Sequence, residues 1–200
     1  MAMSSFVRTF VALPLSDRAA LGLCAIQRSL DVADSQIRWT EPSQFHITLR
    51  FLGDVVESAI PRVIEAVRSA VRSRNALTLT FQGVGAFPGW KKPRILWSRV
   101  ALGSDDLINL ATEVRASLAW VVQGEDKTFI PHVTLGRVRR ATSPELLMQA
   151  ARGCAKVQVG PELVDRVVVY ESRLSSKGAR YVELGSASMI SAVSKKELCD

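Results

Sequence analysis

The 200-residue chain contains no apolar run approaching the roughly 20 residues that a membrane-spanning helix requires, so no such helix is expected. Its first 17 residues carry Arg8 but no succession of basic, apolar and small-residue segments, which argues against a secretory signal. Cysteine is sparse: Cys24, Cys154 and Cys199 are an odd number at wide spacings, with no CxxC pair. A disulfide framework and a thiolate zinc site are both disfavoured, and a reducing cytoplasm is the expected compartment. There is no low-complexity segment and no clear linker, so a string of separate modules is not expected. Histidine is scarcer still, with two in the whole chain.

What is present is an ordinary globular composition, 48% hydrophobic and 22% charged, which excludes a disordered or collagen-like chain. The length suffices to bury a core without disulfide or metal support. One unit over residues 1–190 is expected, followed by a patternless tail at 191–200. The net charge is +7, and of 26 basic residues only seven are Lys. Guanidinium forks match phosphate oxygens in pairs, so the Arg excess suits a phosphate-bearing partner; genomic base composition explains it equally well.

The patterning is mixed. Residues 7–13 are apolar and end at Pro14, which predicts a strand. Ser16 and Asp17 open a helix with Ala19, Leu23, Ile26 and Leu30 on one face. Residues 45–51 alternate, with Phe45, Ile47, Leu49 and Phe51 on one side and His46, Thr48 and Arg50 on the other. Helical spacing recurs over 58–73, 105–121 and, behind the Ser143-Pro144 cap signature, up to about 151. Further strands are predicted at 36–39, 77–81, 94–100, 129–138, 163–170 and 180–184. Gly83, Gly85, Pro88 and Gly89 mark a loop between two of them, and Lys177 and Gly178 a turn. Hairpin-like strands beside helices predict α+β architecture rather than a parallel sheet. A histidine strand followed by a helix and further strands occurs twice, which points to a duplicated lobe.

The two histidines carry the chemistry. They read His46-Ile47-Thr48-Leu49 and His132-Val133-Thr134-Leu135, both His-x-Thr-Leu. Chance would give both histidines this context on the order of once in 10⁵ chains of this composition. In a strand, His and the Thr two positions on share a face, so each strand presents an imidazole beside a hydroxyl. Two such strands facing across a cleft put groups with pKa near neutrality on opposite sides of one reacting centre. One takes a proton while the other gives one, as in-line displacement at phosphorus requires. The hydroxyls, with an Arg, can hold the non-bridging oxygens. Zinc sites usually use three or four protein ligands, and two histidines 86 positions apart with no Cys pair are too few.

These blocks resemble the two-histidine phosphoesterases, and among them the bacterial RNA 2′,3′-cyclic phosphodiesterases, also called the 2′-5′ RNA ligase family. The likeness runs over about residues 6–186. It rests on IRW (37–39), FHITLRFLG (45–53), GAFP (85–88), PRILW (93–97), FIPHVTLGR (129–137), YESRL (170–174) and GARY (178–181). The resemblance implies a bilobal fold, two pseudo-symmetric lobes with antiparallel sheets around a central cleft and helices outside. It implies His132 as the acceptor that activates water, His46 as the donor to the leaving ribose oxygen, and Thr48 and Thr134 as phosphate-binding residues. No metal or other cofactor is implied. The partner is an RNA or oligonucleotide with a 2′,3′-cyclic phosphate end, and nothing demands more than a monomer.

Arg137 closes the second block, but strand parity puts it opposite His132. It reaches phosphate only if Gly136 allows a bulge or the strand ends there; otherwise it is a surface ion-pair residue. Arg50 has the parity for the cleft, although such a residue is more often simply solvated. Among aromatics that could stack on a base, Trp39, Phe87, Trp90 and Trp97, the last is expected in the core and Trp90 exposed on a loop. Arg62, Arg68, Arg72 and Arg74 form a basic helix face that either contacts RNA or is solvated. Two alternatives to cyclic phosphate hydrolysis remain at this point. One is 2′-5′ ligation or 2′-5′ phosphodiester cleavage at the same site; the other is a nucleotide- or RNA-binding module without turnover.

Overall fold

The structure is a computed structural model that describes residues 5–31, 36–122, 128–140, 143–175 and 178–191. Cys199, Lys177 and the tail 192–200 lie outside the described residues. Cys24 is half-buried and Cys154 buried, and neither is in a disulfide. No described helix is long and apolar enough to cross a membrane.

Among the described residues, nine strands build two antiparallel sheets and four α-helices pack on them. The chain opens with β1 (Phe6–Pro14), α1 (Asp17–Leu30), β2 (Gln36–Trp39), β3 (His46–Val56) and α2 (Ile60–Val71). It continues through β4 (Leu77–Phe87), β5 (Ile95–Val100), α3 (Ser104–Ser117), β6 (His132–Arg140) and α4 (Pro144–Gly153). It closes with β7 (Gln158–Val164), β8 (Arg166–Ser175) and β9 (Gly178–Ser188). One sheet has four strands in the order β3-β1-β8-β9, and the other has five in the order β2-β6-β5-β4-β7. Helices α2 and α3 pack on the outer face of the first, and α1 and α4 on that of the second. The histidine strands β3 and β6 meet where the sheets face each other.

The packing follows from the sequence. Ala19, Leu23, Ile26 and Leu30 of α1 are buried together against Leu135 and Val159 of the five-stranded sheet. Ser16 caps the helix, its Oγ accepting from Ala19 N at 3.3 Å. The buried Glu162 of β7 accepts from Ser16 N and Ser16 Oγ, both at 2.6 Å, and fixes the start of α1 on that sheet. Val63, Val67 and Val71 do the equivalent work for α2 under Val167 and Val169.

Several elements differ from the sequence expectation. The strand expected at 77–81 runs on through Gly83 and Gly85 to Phe87, because Gly85, Ala86 and Phe87 pair with Trp97, Leu96 and Ile95. The strand expected at 163–170 is two strands, split at Asp165 as the chain passes from one sheet to the other. β6 begins at His132, so Phe129 lies in the preceding loop. The alternation over 45–51 also breaks, with consequences for the site.

Candidate active site

In β3, Ile47 and Leu49 are fully buried, while His46 and Thr48 between them are half-exposed on the inner face. In β6, Val133 and Leu135 are buried, and His132 and Thr134 face inward in the same way. The two rings are held alike. His46 Nδ1 lies 2.7 Å from Gln44 O and His132 Nδ1 lies 2.5 Å from Ile130 O, in each case the carbonyl two residues earlier. A carbonyl only accepts, so Nδ1 carries the proton and donates in both rings. Nε2 is therefore the nitrogen left for proton exchange at both positions.

Each ring sits in an aromatic frame. His46 meets Tyr181 edge-on at 5.2 Å between centroids and Phe10 at 5.2 Å. His132 meets Phe87 edge-on at 5.2 Å and Trp97 at 5.8 Å. Burial against these rings lowers the pKa of both histidines, because it penalises the imidazolium. For His46 the charge of His132 lowers it further, so His46 feels the other imidazole across the cleft. The carbonyl contacts oppose the shift in both.

Arg137 is on the cleft face. In the β5–β6 ladder Trp97 pairs with Thr134 and Leu96 with Gly136, so Leu135 is an extra residue in β6. That bulge reverses the parity after Thr134, and the exposed Arg137 joins His132 and Thr134. Its charge is felt by Tyr181 of the opposite sheet, where it opposes a rise in pKa caused mainly by burial. Arg38 of the edge strand β2 pairs directly with Arg137 and is exposed on the same face, while Ile37 and Trp39 beside it pack against the hydrophobic core.

The same device acts in β3, and there it corrects the sequence reading. Val11 pairs with Arg50 and Ala12 with Thr48, so Leu49 is the extra residue. Beyond it Arg50 turns to the helix side, 6% exposed, with Nη2 3.5 Å from Val122 O. Phe51, expected in the core, is 68% exposed beside Phe10, on the face of His46 and Thr48. Parity alone missed Phe51, for which a bulky side chain five positions after each histidine was the available signal, and Arg38 on the short edge strand was not singled out. Trp97 is buried as expected, but it lines His132 and stacks on Phe87 at 5.0 Å. Trp90 and Trp39 pack against the core instead of standing free. On the outer helix Arg62 lies over Trp120 at 4.0 Å and Arg68 reaches Glu65 and Ser186 O, and just beyond it Arg74 pairs with Glu113. Among the described residues no cluster of three His, Cys, Asp or Glu side chains could hold a metal ion.

A pair of imidazoles with Nε2 available, flanked by two hydroxyls and two guanidiniums, can bind an anion and pass protons on both sides of it. Comparison with known proteins agrees with that chemistry. The model of the LigT like phosphoesterase family matches residues 13–97 and 101–181. A protein of Aquifex aeolicus named RNA 2′,3′-cyclic phosphodiesterase is 35% identical over 149 residues, 72% of this chain and 77% of that one. One of the same name from Methanothermobacter thermautotrophicus is 29% identical over 181 residues, 89% of this chain and 96% of that one. A solved Thermus thermophilus structure has a TM-score of 0.76 at 24% identity, covering 92% of this chain and 99% of that one. E. coli LigT complexed with 3′-AMP has a TM-score of 0.73 at 20% identity, covering 92% of this chain and 99% of that one. With both histidine blocks inside one family match and the same architecture in solved structures, the chain belongs to the LigT-like phosphoesterase family.

Proposed function

We propose that this protein opens the 2′,3′-cyclic phosphate at the end of an RNA or oligonucleotide, leaving a 2′-phosphate. The observation that carries the reading is the matched pair of histidines, each with Nδ1–H given to a carbonyl and each close enough to the other for His46 to feel the charge of His132. The names of the relatives support the substrate class. In this reading water attacks phosphorus opposite the 3′-oxygen. His132 Nε2 takes the proton of the water as its P–O bond forms, and His46 Nε2–H gives a proton to the 3′-oxygen as the old P–O bond breaks. Thr48, Thr134 and Arg137 hold the non-bridging oxygens, with Arg38 beside them, and Phe51 offers a face to the terminal base. The five-membered ring is already strained, so positioned proton transfer and charge stabilisation serve without a metal. We read residues 1–190 as one bilobal unit born of a duplication, since each histidine strand bulges at the same place of its motif.

The test is incubation with a cyclic-phosphate-ended oligonucleotide in the presence of a strong chelator, with the product mapped by mass and phosphatase sensitivity. A 2′-phosphomonoester is expected, and His46→Ala and His132→Ala should each lower turnover by roughly two to four orders of magnitude. Tight nucleotide binding with no turnover would instead support a binding module. Activity restored only by a divalent ion would overturn the mechanism.

A further inference from the structure

We infer that Gln27 and Arg115 are positioning residues that pin the bulges of β6 and β3, and so decide which side chain follows each His-Thr pair into the cleft. The arithmetic of a strand makes the point. A residue five positions after a histidine lies on the opposite face of a regular strand, and one extra residue brings it back. Both motifs use that extra residue, and at the same place: Leu49 after His46-Ile47-Thr48 and Leu135 after His132-Val133-Thr134. Phe51 and Arg137 reach the inner face only through these bulges.

A bulged residue drops out of the ladder it interrupts, and at both bulges its carbonyl is met by donors from outside that ladder. Leu135 O accepts from Thr40 N at 2.9 Å and from Gln27 Nε2 at 2.8 Å. The same amide donates to Thr40 O at 2.9 Å, so Gln27 bridges the end of β2 and the bulge of β6. Gln27 is 8% exposed on α1, beside the apolar face of Leu23, Ile26 and Leu30, where an amide is costly without partners. In the other lobe, Leu49 O accepts from Arg115 Nε of α3 at 3.0 Å, and the Arg115 guanidinium lies over the Phe129 ring at 5.0 Å. Two chemically different side chains on two different helices thus reach the same carbonyl of the two motifs. Packing alone requires neither coincidence.

The kinetic test rests on the hydrolytic reading above; a binding version does not. Gln27→Met keeps the side chain's length and removes its donors. It should lower kcat/KM for a cyclic mononucleotide by roughly 10- to 100-fold, the scale of a displacement near an ångström. In an Arg137→Ala background it should cost less than about threefold, and in a Phe51→Ala background it should keep its full factor. Arg115→Met should behave the other way round, losing its effect in Phe51→Ala and keeping it in Arg137→Ala. General destabilisation would act alike in both backgrounds, and that result, or wild-type kcat/KM for Gln27→Met, overturns the assignment. Should Gln27→Met not fold, the Arg115 arm carries the test alone. Calorimetric titration of inorganic phosphate through the Gln27/Arg137 cycle needs no turnover. A chain inert on cyclic phosphate would therefore refute the hydrolytic reading while leaving the clamp to be judged by binding.

Discussion

Each histidine has one nitrogen already committed to a backbone carbonyl, and that single contact fixes both its tautomer and its available proton site. The pH dependence follows with a definite sign. Burial, and for His46 the neighbouring imidazole, holds both pKa values below the ordinary value of about 6.5. The proposed mechanism needs one imidazole charged and one neutral, so kcat/KM should follow a bell whose limbs belong to the pair and whose maximum lies on the acid side of about 6.5. A bound anionic phosphate favours the imidazolium, so the kcat profile should shift upward from that of kcat/KM. Identical profiles centred near pH 8 would contradict this account. Stability has the matching dependence. The unfolded chain binds protons more readily than the buried rings, so their contribution is full above about 6.5 and is lost as pH falls through the lowered folded values. Urea midpoints of wild type should therefore drop from pH 8 to pH 5, and His46→Gln should remove part of that drop; equal slopes would refute it. The threonines make the simplest test of charge stabilisation. Thr48→Val and Thr134→Val keep volume and strand propensity, and should cost one to roughly three orders of magnitude in turnover with little change in stability.

At the scale of elements, the site depends on where strands depart from regularity. Gly85 of β4 shows how tightly: a Cβ there would lie 2.2 Å from Trp97 Cζ2, so the indole lies flat over the glycine and against His132. Gly85→Ala must push that ring, and roughly 1–3 kcal/mol of stability should go with a loss of turnover. Full activity with an unchanged melting temperature would show that the ring has slack. Sequence periodicity made the histidine strands and the four helices legible, because buried Ile47, Leu49, Val133 and Leu135 alternate with the polar face and Ser16 and Ser143 cap their helices. The His-Thr pairs were legible for the same reason, since two residues is one period of a strand. Phe51 and Arg50 were not, and Arg137 only on condition of a bulge, because a bulge depends on donors supplied from distant Gln27 and Arg115, which no local window contains. The run through Gly83 and Gly85 was hidden likewise: Gly85, which reads as loop, is required by the Trp97 ring crossing the strand, and Gly83 by a positive φ of 79°.

Across the whole molecule, the chain carries a net charge of +7, and its arginines include two groups in settings of different character. On the outer helix side Arg62 lies over Trp120, Arg68 reaches Glu65 and Arg74 reaches Glu113, and on the inner face Arg38 and Arg137 are direct strand partners. If the inner pair reads phosphates, kcat/KM for a cyclic-phosphate oligonucleotide should fall with added salt more steeply than for a cyclic mononucleotide. Arg38→Ala should flatten that slope and Arg62→Ala should not; equal slopes for both substrates would mean the Arg excess is compositional. The identical carbonyl tethers have one more consequence. Two rings tethered through the same nitrogen differ only in their surroundings, so in the proposed hydrolysis the tethers do not dictate which ribose oxygen departs. That choice falls to the unlike walls, aromatic Phe51 on one side and cationic Arg137 on the other. A ligand seated the opposite way round would exchange the duties of the rings and end as the 3′-isomer, which makes regiochemistry a property of seating rather than of acid–base strength.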